Sequence, residues 1–226
     1  MSRKAMEKKQ ESCPDGLRTV AEKVLLLLKK RYPNPHTHLN AADPWQLLVA
    51  TILAAQCTDA RVNMVTPALF ARWPTVRDMA SADQAEIEHH IRSTGFFRNK
   101  AKNILAAARR VRDAFAGNVP NTMPDILSLP GVARKTANVV LFGAYGINEG
   151  LAVDTHVGRI AFRLGLSRSR NPLQVERDMM ALFPREEWGD VNHRLVWFGR
   201  HVCRARAPVC RDCEMVLFCE KKGLQA

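Results

Sequence analysis

The sequence predicts an all-α fold, and three observations support this expectation. Nearly every apolar pattern along the 226 residues repeats with a helical period rather than a strand period. Proline, aspartate and glycine stand where helices usually begin and end. The sequence contains no convincing alternating strand, internal repeat or low-complexity tract. Helices joined by turns are therefore expected along the folded part of the chain.

The first half of the chain shows these signals in order. A helix is predicted over 16–31 and ends at the sequence YPNP, residues 32–35. Asp43-Pro44 has the form of an N-cap followed by a proline at the first helical position, and Gln46 is placed to complete a capping box. This second helix is expected to reach Ala55. Further helix starts are predicted at Asp59, Thr66 and Ser81.

The second half continues the helical pattern. A long basic helix is predicted over 98–115, because apolar residues recur on one face at Ile104, Leu105, Ala108, Val111 and Phe115. The sequence PDILSL predicts a short helix, LPGV predicts a tight turn, and a second helix should follow over 134–145. The last predicted helices cover 155–164, 172–183 and 187–202.

The composition is that of an ordinary globular protein with a basic surplus. Lys and Arg number 34 against 22 Asp and Glu, which gives a formal net charge of +12. A surplus of this size indicates a polyanionic partner such as nucleic acid, although other classes of basic protein share it. No stretch approaches the roughly 18 apolar residues of a membrane span, and no secretory segment is evident, so the cytoplasm is the simplest compartment. The polar residues 1–15 are expected to form a flexible arm.

Four of the six cysteines lie close together near the C-terminus. They form the pattern C-x6-C-x2-C-x5-C with Cys203, Cys210, Cys213 and Cys219. Structural zinc sites usually bring two short-spaced pairs, whereas this open loop suits a larger group such as a [4Fe–4S] cluster. Zinc and a set of free thiols are the alternatives, and Cys13 and Cys57 are expected to be free thiols.

The turn before residue 134 has features of an anion site. The turn Pro130-Gly131-Val132-Ala133 connects two helices and presents backbone N–H groups at a helix N-terminus, where a phosphate can bind without base readout. Lys135 follows in the first turn, where the helix macrodipole favours the neutral amine that a nucleophilic lysine needs. The alternatives are an ordinary helix connection and a surface lysine that contacts phosphate.

Asp154, in the segment VDTH, is the second candidate for chemistry. An aspartate there is well suited to cap the next helix. An N-cap carboxylate can also act as a general base or stabilise a developing cation. The separation of Lys135 and Asp154 in sequence does not by itself bring them together.

At these residues the sequence strongly resembles the endonuclease III family of DNA glycosylases, within the helix–hairpin–helix superfamily. The resemblance runs from about residue 16 to 220. The segments that carry it are LLVATILAAQCTDARVN, STGFFRNKAKNI, LPGVARKTANVVL, LAVDTHVGR and the four-cysteine loop. The resemblance implies Lys135 as nucleophile, Asp154 as second catalytic residue and a [4Fe–4S] cluster on the four cysteines.

The resemblance also implies an architecture and a reaction. Two all-α lobes should flank a DNA cleft: a six-helix barrel with the hairpin over 36–148, and a cluster domain formed by 16–35 and 149–226. The implied partner is double-stranded DNA that contains damaged pyrimidines or abasic sites, bound by a monomer. The implied reaction joins base excision through a lysine Schiff base to strand cleavage by β-elimination.

The resemblance assigns further residues to DNA binding. Gln56 matches a glutamine that fills the gap left by the extruded base; the alternative is a polar residue at a helix C-terminus. Gly131, Ala133 and Arg134 belong to the hairpin, and Ala133 stands where the family commonly has glycine. Phe96 stands where the family usually has a leucine wedge, and the alternative for it is a buried core residue.

Two other interpretations remain. An adenine-mismatch glycosylase of the related MutY family usually lacks a lysine at the hairpin position and carries a further C-terminal domain. A non-catalytic DNA-binding module would be expected to lack Lys135 or Asp154, and both are present. The sequence therefore favours the glycosylase and AP lyase.

Overall fold

The computed structural model describes residues 15–224, which form α-helices and two short 3₁₀ segments without any β-strand in that range. This confirms the all-α prediction. The predicted arm over 1–15 lies outside the described residues except for Asp15, and so does Cys13. The helices are α1 Asp15–Arg31, α2 Pro44–Leu53, α3 Asp59–Arg72, α4 Val76–Ala80, α5 Gln84–Ile91, α6 Phe97–Ala114, α7 Met123–Leu127, α8 Arg134–Tyr145, α9 Thr155–Leu164, α10 Pro172–Leu182 and α11 Trp188–His201.

Two predicted helix starts are wrong. No helix begins at Thr66, because α3 continues through Pro67 and buries Thr66 within the lobe. The Thr-Pro pair resembles a helix start in sequence, but packing of the α3 face overrides that local signal. Ser81 ends α4. The next helix, α5, begins after Asp83, whose Oδ1 accepts hydrogen bonds from the backbone N–H groups of Ala85 and Glu86.

The described residues pack around two separate hydrophobic cores. Helices α2 to α8 enclose the first, whose buried members run from Leu39 to Leu141. Helices α1, α9, α10 and α11 enclose the second, with buried members over 21–32 and 151–215. The chain therefore crosses twice between two lobes, and the first helix belongs with the last three.

A small set of polar contacts fixes the two lobes against each other. The Glu176 carboxylate of α10 accepts hydrogen bonds from Arg134 Nε at 2.8 and 3.0 Å and from Asn138 Nδ2 at 2.9 Å, both on α8. Glu176 is only 4% exposed, so this is a buried charge satisfied by α8. Close by, Asn192 Nδ2 of α11 donates to the Ala152 carbonyl at 2.6 Å. The start of α8 is thereby anchored to the second lobe.

We expect Glu176→Gln to lower the free energy of unfolding by about 2 kcal/mol, because removing one partner of a buried ion pair leaves the other uncompensated. The loss stays below that of a fully buried pair because the Arg134 side chain is 37% exposed. Glu149→Gln is the matched control, since Glu149 pairs with Arg185 at the surface. Urea unfolding of both variants measures the difference, and equal stability of the two would contradict the anchoring role.

Candidate active site and cysteine cluster

A cleft of about 1010 Å³ lies between the two lobes. Lys135 of α8 and Asp154 before α9 both line it, although they belong to different lobes. Lys135 and Asp154, whose sequence separation does not by itself predict that they are close, thus line the same cleft in the structure. Gln56 lines the same cleft.

Lys135 is the second residue of α8 and its side chain is exposed to the cleft. The residue before the helix, Ala133, cannot act as a side-chain cap, so the N-cap side chain accepts no hydrogen bond from the first backbone N–H groups of α8. The turn before it needs glycine at Gly131, where φ is 80° and a Cβ would approach Asn103 Cβ to 2.7 Å. Ala133 has φ −95°, so alanine fits there without strain.

Asp154 caps α9 and faces the cleft at the same time. Its Oδ1 accepts hydrogen bonds from the backbone N–H groups of His156 and Val157, both at 2.8 Å. These bonds hold the carboxylate in one orientation and use a single oxygen. Asp154 is therefore the N-cap of α9, and its Oδ2 accepts no hydrogen bond from residues 15–224.

His156 and Arg159 connect Asp154 to the cysteine loop. Arg159 Nη2 lies 3.1 Å from His156 Nδ1, 3.0 Å from the Gly199 carbonyl and 2.9 Å from the Cys203 carbonyl. Burial lowers the pKa of His156, while the Asp154 carboxylate acts in the opposite direction. The sequence assigned no chemistry to His156, and its place in the cleft wall was not foreseen.

An ion pair crosses the cleft from lobe to lobe. Arg200 Nη2 of α11 lies 2.5 Å from Asp59 Oδ2 at the start of α3. Both residues line the cleft, so the pair bridges the two lobes beside Lys135. Sequence reasoning used Asp59 only as a helix start and missed this contact, because the partners are far apart in the chain.

Gln56 and Phe96 stand on two exposed turns with unusual backbone geometry. The φ angle is 54° at Gln56 and 47° at Phe96, in the left-handed region that disfavours residues with a Cβ. Phe96 is 69% exposed, so the alternative of a buried core residue is wrong. Such strain costs roughly 1 kcal/mol or more at each position and tends to mark functional turns.

Lys100 supports both of these turns from inside the first lobe. Its ammonium donates to the Leu53 carbonyl at 2.9 Å and to the Thr94 carbonyl at 2.8 Å. The residue is 4% exposed, and burial lowers its pKa. Lys100 precedes Ile104 by one helical turn on the apolar face of α6, and this charge on an apolar face was the sequence signal for its role.

The resemblance assigns Arg134 to DNA binding, and in the structure its Nε donates to Glu176. This contact joins the hairpin to α10 and uses only one of the three guanidinium nitrogens. A sequence pattern could place Arg134 in the hairpin, but it could not reveal a partner that lies in another helix of the other lobe.

The four cysteines converge on a small apolar cavity of about 30 Å³ between α9, α11 and the C-terminal loop. Arg163 crosses beneath it: Nη1 lies 3.4 Å from Cys203 Sγ, and the Arg163 carbonyl accepts from Cys219 Sγ at 3.3 Å. Within residues 15–224 no group of three or more His, Cys, Asp or Glu side chains is arranged as a site for a metal ion. The four cysteines nevertheless line one common space.

Burial of the cysteine side chains raises the pKa of the Cys213 and Cys219 thiols. Ligation of a metal group requires thiolates, so binding of such a group at these cysteines would release protons.

Comparisons with known proteins agree with this architecture. Residues 49–185 match the family of HhH-GPD superfamily base excision DNA repair proteins. The endonuclease III of Synechocystis sp. is 53% identical over 199 residues, which cover 88% of this chain and 91% of the relative. That of Bacillus subtilis is 40% identical over 200 residues, covering 85% and 91%. A solved endonuclease III–DNA covalent intermediate has a TM-score of 0.85 and 40% identity, covering 90% of this chain and 96% of that one.

The helical lobes, the hairpin and the matched family define a base excision DNA repair protein of the HhH-GPD superfamily. Within that superfamily, the chain belongs to the endonuclease III family. It is accordingly a DNA glycosylase with AP lyase activity. Across residues 15–224 the structure has no helix of the length and apolarity that a membrane crossing requires.

We expect Lys100→Met to speed amide hydrogen exchange in residues 54–58 and 94–97, because two carbonyls lose their shared donor. The free energy of unfolding should fall by about 2 kcal/mol for the same reason. Lys102→Met, an exposed position on the same helix, is the control and should change neither quantity. Exchange rates unchanged in the Lys100 variant would show that the turns do not depend on this ammonium.

Proposed function

We propose that Lys135 is the nucleophile and Asp154 its catalytic partner in excision of oxidised pyrimidines from double-stranded DNA. The main support for this proposal is that the two residues come from separate lobes and line the same cleft. A lysine amine beside a fixed carboxylate is the arrangement that Schiff-base chemistry at a sugar carbon requires.

The reaction follows from these two groups. The Lys135 amine attacks C1′ and forms a C–N bond while the glycosidic bond to the damaged base breaks. Asp154, held by its two N–H donors, stabilises the cationic sugar and assists proton transfer. Loss of a proton and opening of the sugar give an imine. Removal of a C2′ proton then breaks the C3′–O bond, which is cleavage 3′ to the lesion by β-elimination.

DNA binding rests on the turns and the basic lining of the cleft. Gln56 fills the space left by the extruded nucleotide, and Phe96 wedges into the opposite strand; both are exposed on strained turns. The uncapped N–H groups after Gly131 and Ala133 bind a phosphate, with Arg134 beside them. The net charge of +12 favours the polyanion as a whole.

We infer that the four cysteines hold a [4Fe–4S] cluster. Cys203, Cys210, Cys213 and Cys219 line one apolar cavity, and their open C-x6-C-x2-C-x5-C spacing suits a cluster better than zinc, which usually takes two short-spaced pairs. When bound, such a cluster supplies a four-point anchor for the C-terminal loop. Arg163 holds that loop through the Arg204 and Ala205 carbonyls at 2.7 and 3.0 Å.

The domain division and the setting of the protein complete the proposal. The two cores support a first domain over 36–148 and a discontinuous second domain over 16–35 and 149–226. We propose that the protein acts as a monomer in the cytoplasm, associated with the nucleoid where its DNA substrate lies.

Borohydride trapping on a duplex with one thymine glycol tests the chemistry. The protein should form a covalent adduct with the DNA, and Lys135→Ala should abolish it while duplex binding persists, since only the amine can form the reducible imine. Asp154→Asn should still fold, because asparagine also caps helices, but should trap roughly a hundredfold more slowly or worse. Adduct formation by the Lys135 variant would contradict the proposal.

Metal analysis of the purified protein tests the cluster. The protein should be yellow-brown and contain iron and sulfide in [4Fe–4S] proportion, and Cys213→Ser should lose both, since each thiolate is one of four ligands. Cys57→Ser, a change outside the cluster, should retain them. Stoichiometric zinc in place of iron would overturn the assignment.

A further inference from the structure

The Lys100 ammonium lies where two helical segments of the first lobe end. Helix α2 ends at Leu53 and the 3₁₀ segment over 92–94 ends at Thr94, and the carbonyls of these two residues accept the ammonium's hydrogen bonds. The last carbonyls of a helix have no partner within it, and a cation is favourable at that end. Among residues 15–224, Lys100 is the one side chain whose hydrogen bonds join the two segments.

The turns that follow these two segments carry the residues assigned to DNA contact. Gln56 and Phe96 come three and two residues, respectively, after the carbonyls that Lys100 holds. The backbone N–H of Lys100 also donates to the Phe96 carbonyl at 3.1 Å. On the other side, Cys57, the neighbour of Gln56, is close enough to interact electrostatically with the ammonium. Lys100 therefore reaches both turns themselves, and not only the segments before them.

Both turns depend on contacts from outside their own sequence. Gln56 and Phe96 have left-handed backbone conformations, which persist only where the surrounding structure holds them. Phe96 is also the N-cap of α6 and forms no side-chain hydrogen bond there. The helix that follows Phe96 thus adds no capping contact that would hold this turn on its own.

The burial of Lys100 makes the two turns depend on each other. Its side chain lies in the first core, and backbone carbonyls satisfy its ammonium. A buried ammonium is costly unless its N–H groups are hydrogen-bonded. If one turn moved and withdrew its carbonyl, the cation would be left with a single one of these partners, and that arrangement would lose stability. The position of each turn is therefore energetically linked to the position of the other.

We propose that Lys100 is a positioning residue that couples Gln56 to Phe96, so that the two side chains enter the duplex in one concerted step. Without the coupling, one residue could enter the DNA while the other stayed out, and the duplex could close again before excision. This inference rests on the proposed function, because it assumes the DNA contacts given there to Gln56 and Phe96.

A double-mutant cycle tests the coupling. Single-turnover excision on a duplex with one thymine glycol is measured for the wild type, Gln56→Ala, Phe96→Ala and the double variant. The loss in the double variant should be roughly fivefold or more below the product of the two single losses, because the first substitution already disables the shared step. In a Lys100→Met background, the same two losses should simply multiply.

The cycle separates positioning from stability. Lower stability caused by Lys100→Met scales all four rates of that background together and leaves their coupling ratio unchanged, so a merely structural role would not abolish the coupling. Lys102→Met, an exposed position on the same helix, is the control and should retain it. Lys100→Gln has a shorter side chain that cannot hold both carbonyls. It should also abolish the coupling, and it decides the matter if Lys100→Met does not fold.

The failure of this inference is distinguishable from failure of the proposed function. Independent losses in the wild-type background, no loss in either single variant, or a coupling that persists in the Lys100 variants would overturn the inference. The proposed function stands in each of these cases, since the wild type still excises the base. A wild-type protein that does not excise the base would instead refute the proposed function, and this inference with it.

Discussion

A buried carboxylate holds the catalytic helix of one lobe against the other. Glu176 receives three hydrogen bonds from Arg134 and Asn138, which lie at the start and the middle of α8. A side chain at Gly150 would collide with that carboxylate, so the return crossing of the chain also passes beside it. The two cores are separate, and the Asn192–Ala152 hydrogen bond and the Asp59–Arg200 ion pair add to the contacts between the lobes. The Glu176 contacts reach the first turn of α8 itself, so the position of Lys135 in the cleft depends on them directly.

Several residues of the site contribute both to the fold and to the chemistry. A substitution at one of them therefore changes stability and activity together. Asp154 fixes α9 through the same carboxylate that faces the cleft. The hairpin leaves α8 uncapped by any side chain, so its amides stay open to a phosphate at some expense of helix stability. Lys100 satisfies carbonyls whose turns carry Gln56 and Phe96 in strained conformations. Local stability is thus lower where DNA is expected to bind.

Helical periodicity and capping residues were sufficient to predict most helices, since those signals are local. They failed at Thr66, where packing of α3 outweighs a Thr-Pro pair, and at Ser81, which ends α4 and does not begin a helix. The resemblance placed Lys135 and Asp154 in one site, but periodicity alone could not, because they belong to different cores. The contact of Asp59 with Arg200 joins distant helices, and no spacing rule could have revealed it.

The charges around the cleft are divided unequally between the two lobes. The cations Arg159, Arg163, Arg170 and Lys222 line the cleft from the second lobe, whereas Lys135 lines it from the first. Such cations attract a polyanion and compensate the charge of its phosphates. The Asp59–Arg200 pair neutralises a further arginine of the second lobe, and it does so where that lobe meets the first. Attraction for the DNA backbone and the nucleophilic amine therefore come mainly from different lobes, so the contacts that hold the lobes together also hold these two functions in register.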